Sequence, residues 1–178
     1  MKVLLTHAYF LEDDLKEQQI MRPYVPLGIL YISAYLEENG VDNEVYDTTF
    51  STKKDFQNYL LKHRPSIVAL YVNLMTKLNV LESILFVKNN LPETKVILGG
   101  PEVRYSAENF LEHGADFIVI GEGEETMLEL SRGLIPAFAE VSANTLNYST
   151  KENDAGLILN PPPKDRDFDS IAGIAFLK

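Results

Sequence analysis

The sequence predicts a doubly wound α/β domain built on a parallel β-sheet, and three observations carry that prediction. Short apolar runs alternate with longer segments of helical periodicity through the first three quarters of the 178 residues. Three of the runs are apolar throughout, as strands buried on both faces of a parallel sheet must be. Glycine, asparagine and proline punctuate the joints between run and helix.

Taken in order, the expected strands are residues 3–6, 44–46, 67–72, 96–98 and 117–120, each rich in Val, Ile, Leu or Tyr. Between the first two, Leu27, Leu30, Tyr31 and Ala34 define a helical face that Asn39-Gly40 stops. Phe56, Tyr59 and Leu60 define the next helix, which ends before Pro65. A third presents Leu78, Leu81, Ile84 and Leu85 and ends near Pro92, and a fourth presents Ala107, Phe110 and Leu111 and is stopped by Gly114. A short fifth helix starts at Glu124, where acidic residues suit the positive end of the helix dipole.

Five strands joined by helices favour the sheet order 2-1-3-4-5, the flavodoxin-like arrangement, in which ligands sit outside the carboxyl ends of the strands at the switch between strands one and three. Residues 1–133 form this domain. Residues 134–178 read as an irregular extension or linker, rich in Asn, Ser, Thr and Pro, with Pro161, Pro162 and Pro163 in succession. Within it only 156–159 and 171–177 have strand character.

Composition removes several classes of function. Hydrophobic residues make up 46% and charged residues 24%, ordinary for a folded domain. A net charge of -10 repels a phosphate backbone, so nucleic acid is not an expected partner. The absence of cysteine excludes a disulfide, a thiolate zinc site and a Cys-held iron–sulfur cluster in this chain, and it suits a cytoplasmic setting. No apolar run approaches the ~18 residues of a membrane span, and no membrane association is expected.

The ligand-side loops hold the distinctive residues. After the first strand comes an unusually long connection, 7–26, of the kind that covers something or forms a surface excursion. After the third comes Asn73-Leu74-Met75-Thr76, with Thr76 placed as an N-cap. Gly99-Gly100-Pro101 follows the fourth, where two glycines let the chain turn tightly and a bulky ligand approach. After the fifth comes Gly121-Glu122-Gly123-Glu124-Glu125. The spacing is neither that of a dinucleotide fingerprint nor that of a P-loop.

Three strings together resemble the N-terminal cobalamin-binding domain of cobalamin-dependent radical SAM enzymes, the group of magnesium-protoporphyrin ester cyclases and methylases. They are Pro26-Leu27-Gly28-Ile29-Leu30-Tyr31, Val96-Ile97-Leu98-Gly99-Gly100-Pro101 and Gly114-Ala115-Asp116 through Gly121-Glu122-Gly123-Glu124. The resemblance covers about residues 1–133 and implies a cobalamin over the carboxyl edge of the sheet. It implies that Asn73, Leu74 and Thr76 face the corrin or its nucleotide tail, that Gly99, Gly100 and Pro101 line the tail channel, and that Gly121 and Glu122 border the pocket. S-adenosylmethionine and a 4Fe-4S cluster would belong to a radical SAM domain outside this chain, its implied partner, because the C-x-x-x-C-x-x-C signature needs cysteine.

Two departures accompany the resemblance. The Asp-x-His-x-x-Gly motif that supplies a lower-axial histidine in other cobalamin domains is missing, since Leu5 and Phe10 flank His7 at the required spacings. A loop or hydrogen-bonding role is therefore expected for His7, while His63 and His113 read as surface residues at helix ends. The second departure is order: Ile171-Ala172-Gly173-Ile174-Ala175-Phe176 follows Asn160-Pro161-Pro162, where the family usually has it first. Other readings of the fold fare worse. A phosphoreceiver needs acids after strand one and an Asp after strand three, a hydrolase needs a nucleophile elbow, and a flavin site needs a Ser/Thr-rich first loop.

Overall fold

The computed structural model describes residues 2–20, 23, 25–135 and 171–176. Strands β1 (Val3–Thr6), β2 (Asn43–Val45), β3 (Ile67–Tyr71), β4 (Lys95–Gly99) and β5 (Phe117–Val119) are parallel and lie in the order β2-β1-β3-β4-β5, as the sequence predicts. A sixth strand, β6 (Ile174–Ala175), runs antiparallel along β5 and adds an edge that lies within the region read as an irregular extension. The other strand candidate, 156–159, and Asn160-Pro161-Pro162 lie outside the described residues.

Helices cover both faces. On one, α3 (Lys53–His63), α4 (Lys77–Asn90) and α5 (Val103–Glu112) pack Phe56, Leu60, Val80, Ile84 and Phe110 onto Leu4, Val68, Leu70, Val96 and Leu98. On the other, α2 (Leu27–Glu38) and α6 (Glu124–Leu134) pack Ile29, Leu36, Met127 and Leu130 onto Val3, Leu5, Ile67, Ala69, Ile97 and Val119. The alternation of β-strand side chains assigns every second residue to one helix layer. Burying each large aliphatic side chain contributes about 1.5–3 kcal/mol against leaving it in water.

Two helical faces differ from expectation. In α2 the buried residues are Ile29 and Leu36, whereas Leu27 and Tyr31 are 61% and 66% exposed. In α4 they are Val80, Ser83, Ile84 and Val87, and Leu78 is 73% exposed. Both helices carry apolar residues nearly all round, so periodicity alone does not choose the face. Cap chemistry is clearer in α3, where the Thr52 hydroxyl accepts from the Asp55 amide at 3.0 Å.

The connection after β1 is partly ordered as a 3-10 turn (Leu11–Asp13) and a short helix, α1 (Leu15–Ile20). The Gln18 side-chain amide donates to Leu11 O and Glu12 O and ties the two together.

Candidate functional site

All five parallel strands end on the same edge, and two cavities open there. The first, of about 190 Å³, is a slot between the sheet and the α2–α6 layer. Leu5, Ala69, Ile97, Gly99 and Val119 form its floor, and Gly28, Ile29, Ile32 and Met127 form its roof. The residues of the loop 121–123 close its outer end, with Glu124 beside them. The second cavity, of about 270 Å³, lies beside it under the β1–α2 connection and shares Gly28, Ile29 and Tyr71 with it. Its lining is more polar and includes His7, Tyr9, Glu17, Thr49, Asn73 and Thr76. Glu17, Pro23, Val25 and Pro26 come from the long connection, which therefore covers a cavity.

The glycines at this edge have different reasons for being there. Gly100 is fixed by the backbone: its φ is +108°, and a Cβ would lie 2.5 Å from Val72 O. That close approach exists because the turn is laced to the end of β3, with Val72 N–H donating to Gly99 O at 2.7 Å. Gly99 and Gly28 have no such constraint. A Cβ on Gly99 would meet nothing nearer than Val119 at 3.9 Å, and one on Gly28 would meet nothing within 4 Å. Neither has a positive φ, and Gly28 sits in the first turn of a helix, where nothing in the backbone calls for glycine. Both face the slot, so what their missing side chains preserve is open volume.

The loop after β3 is shaped by its own hydrogen bonds. Asn73 Oδ1 accepts from the amides of Met75 and Thr76 at 2.9 and 3.0 Å, and the Asn73 amide donates to Thr76 Oγ1 at 3.1 Å. Thr76 thus occupies the N-cap position of α4 without capping it, since its hydroxyl faces back into the turn. Asn73 and Thr76 line the second cavity, and Gly99, Gly100, Gly121 and Glu122 line the first. Leu74 and Pro101 line neither; Leu74 stands 78% exposed at the rim.

His7 is buried at the floor of the second cavity with both ring nitrogens engaged. The Tyr9 amide donates to Nδ1 at 3.2 Å, which places the ring proton on Nε2, and Nε2 donates to Asp47 Oδ1 at 2.9 Å. This is the hydrogen-bonding role the sequence suggests, and it leaves neither nitrogen free for a metal. Burial pushes the Asp47 carboxyl up, but hydrogen bonds from the Thr49 hydroxyl and amide and from His7 outweigh it and hold the group below its ordinary value. His63 stacks on Tyr59 at the end of α3, and His113 ends α5 with Nδ1 donating to Asn109 O.

Sequence reasoning missed Gly28, Ala69, Tyr71, Gly123 and Met127 as lining residues. Ala69 could have been found: it is the one small residue in an otherwise bulky strand, in phase with Tyr71 and opposite Leu5 in register. Gly28, in the first turn of a helix that needs no glycine there, is the other legible signal.

A glycine-lined slot beneath the carboxyl edge of a doubly wound sheet, with a larger cavity beside it, defines a ligand-carrying α/β domain. Residues 20–131 match the family described as B12 binding domain, and the chain belongs to that family. It is similar to hopanoid C-3 methylase of Methylococcus capsulatus, 27% identical over 128 residues that cover 70% of this chain and 24% of that protein. It is also similar to the uncharacterized methyltransferase PH0819 of Pyrococcus horikoshii, 29% identical over 145 residues that cover 78% of this chain and 30% of that protein. The chain thus spans less than a third of either relative. Among solved structures, the response regulator DrrB of Thermotoga maritima aligns over 79% of this chain and 53% of its own, at 21% identity and a TM-score of 0.45.

The residues fit a cobalamin. The apolar slot that Gly28, Ala69 and Gly99 keep open has room for a flat ring, and a larger cavity adjoins it. Among the described residues no helix is long and apolar enough to cross a membrane.

Proposed function

We propose that this chain is the cobalamin-carrying module of a radical SAM enzyme that transfers a methyl group. The observation that carries the cobalamin reading is the pair Gly28 and Gly99, which face each other across the slot with no backbone or packing reason to be glycine. Gly99, Ala69 and Gly28 would hold the nucleotide tail, the loop 121–123 would border it, and Asn73, Thr76 and the residues around His7 would lie beneath the corrin. When bound, cobalamin supplies a cobalt centre that can accept and donate a methyl group; the chain's own residues position it and exclude water. The names of the two relatives, a methylase and a methyltransferase, favour methyl transfer over ring formation. The motif resemblance favours radical SAM chemistry, whose S-adenosylmethionine and 4Fe-4S cluster need cysteines that another part of the protein would have to bring.

The test is direct. Purified chain mixed with hydroxocobalamin and desalted is expected to keep corrin absorbance. Gly99→Leu is expected to lose at least about tenfold in affinity, because the new side chain fills the slot, while its unfolding midpoint stays near wild type. Desalted protein without corrin colour, or a Gly99→Leu variant that binds as well as wild type, would refute the assignment of the slot.

A further inference from the structure

We infer that the segment 171–176 is a brace that positions the loop 121–123 for ligand binding, with Thr126 and Gly173 as its positioning residues. The inference rests on the cobalamin reading of the slot. Gly121 and Gly123 place no β-carbon between the loop and the cavity, and Gly121 has open space around it. A Gly-Glu-Gly turn of this kind has little of its own to hold one conformation. Glu122, which lines the slot, makes the turn no stiffer, because it is exposed.

Gly123 is held by its contact with Ile32 of α2 and by the Met127 amide, which donates to its carbonyl at 2.8 Å, and the two further ties on either side of the loop come from one distant segment. Before the turn, the Ile120 amide donates to Gly173 O at 2.7 Å. After it, the Thr126 hydroxyl, buried in the first turn of α6, donates to Ala172 O at 3.0 Å. The segment is itself anchored: Ile174 and Ala175 pair with Val119 and Ile118, and Phe176 is buried against Phe117 with ring centroids 5.7 Å apart. Gly173 is required for the approach, since its φ is +76° and a Cβ would lie 3.0 Å from Ile120 O. Two adjacent carbonyls thus clamp the two ends of the loop without touching the cavity.

The experiment uses the whole chain loaded with hydroxocobalamin and follows its release after dilution, alongside hydrogen exchange of the Ile120 and Met127 amides, which are hydrogen-bonded on either side of the loop. Thr126→Val keeps the shape and removes the donor, and is expected to release the corrin about tenfold faster and to lose protection at the Ile120 and Met127 amides. Thr126→Ser restores the hydroxyl and is expected to restore both. Lys88→Met, which loosens the opposite edge of the sheet, controls for destabilisation and is expected to leave release and the protection of these two amides unchanged. If wild type retains no hydroxocobalamin, the cobalamin reading falls and the brace's role in binding falls with it. If wild type retains it and Thr126→Val releases it at the wild-type rate, the brace alone is overturned.

Discussion

The two edges of the sheet are held together by different means. At the edge where the strands begin, side chains carry the load. The Asp116 carboxylate accepts from the Val96 amide at 2.7 Å and pairs with both Lys88 and Lys95. Nearby, the Thr94 hydroxyl donates to Pro65 O at 2.8 Å. At the edge where the strands end, the turns that border the slot are held by backbone hydrogen bonds, an Asx turn at Asn73 and glycines, and the side-chain ties of that edge, His7 to Asp47 and Lys77 to Glu102, lie outside the slot. A domain that must leave a slot at one rim can place its cross-strand ties at the other. Stability and ligand binding should then respond to mutation separately.

The largest effect is expected where the rim has no tolerance. Gly100→Ala forces an L-residue to φ +108° and brings a methyl group onto Val72 O, and is expected to cost about 3 kcal/mol. Urea unfolding would read the loss, and hydroxocobalamin retention should fall with it because the turn beside Gly99 must move. Asp116→Ala comes next. It leaves the Val96 amide without its acceptor and should cost about 2 kcal/mol, while both lysines remain hydrated. Retention by the folded fraction is expected to stay at the wild-type level. Equal loss of binding in the two variants would break the division between the edges.

Much of this division was legible in the sequence. The apolar runs located the five parallel strands, because strands buried on both faces leave few polar residues to blur the pattern, and the order favoured for five such strands is the one observed. The orientation of α2 and α4 was not legible. In α2, Leu27, Leu30 and Tyr31 compete with Ile29 and Leu36 for the same periodic signal, and only the packed sheet selects between them. At the site, Gly99 and Gly100 read as one motif, yet one keeps a cavity open and the other relieves a backbone clash. That distinction depends on φ and on the distance to Val72, and neither is encoded in the letters. The strand character of 171–177 was visible, but its partner was not, because an edge pairing between residues as far apart as Ile118 and Ala175 leaves no local trace. Thr76 was placed at the right position for a cap, but Asn73 took over the hydrogen bonds of the turn.

The smallest expected effect concerns charge along α6, the helix that runs between the two edges. Glu124 and Glu125 lie in its first turn, where the helix dipole stabilises them. Glu129 lies beyond that help. Burial pushes its carboxyl above the usual range, Glu125 one turn away pushes it further, and Arg132 offsets part of this. For an acid with a raised folded value, the native chain binds more protons than the unfolded chain between the ordinary value of 4.5 and the raised one. Stability therefore falls as pH rises through that window, and the cost is fully present at neutral pH. Asp47 at the rim has the opposite sign: its contribution is present above the ordinary value of 3.8 and is lost as pH falls through its lowered one. Glu129→Gln is therefore expected to stabilise at pH 7 by about 0.5 kcal/mol or less, given how much solvent reaches the group. The gain should shrink toward zero at pH 4, as read from urea midpoints at the two pH values. A gain that persists at pH 4 would mean that the glutamine improves packing between α6 and its neighbours, and that the carboxylate's charge was never the cost.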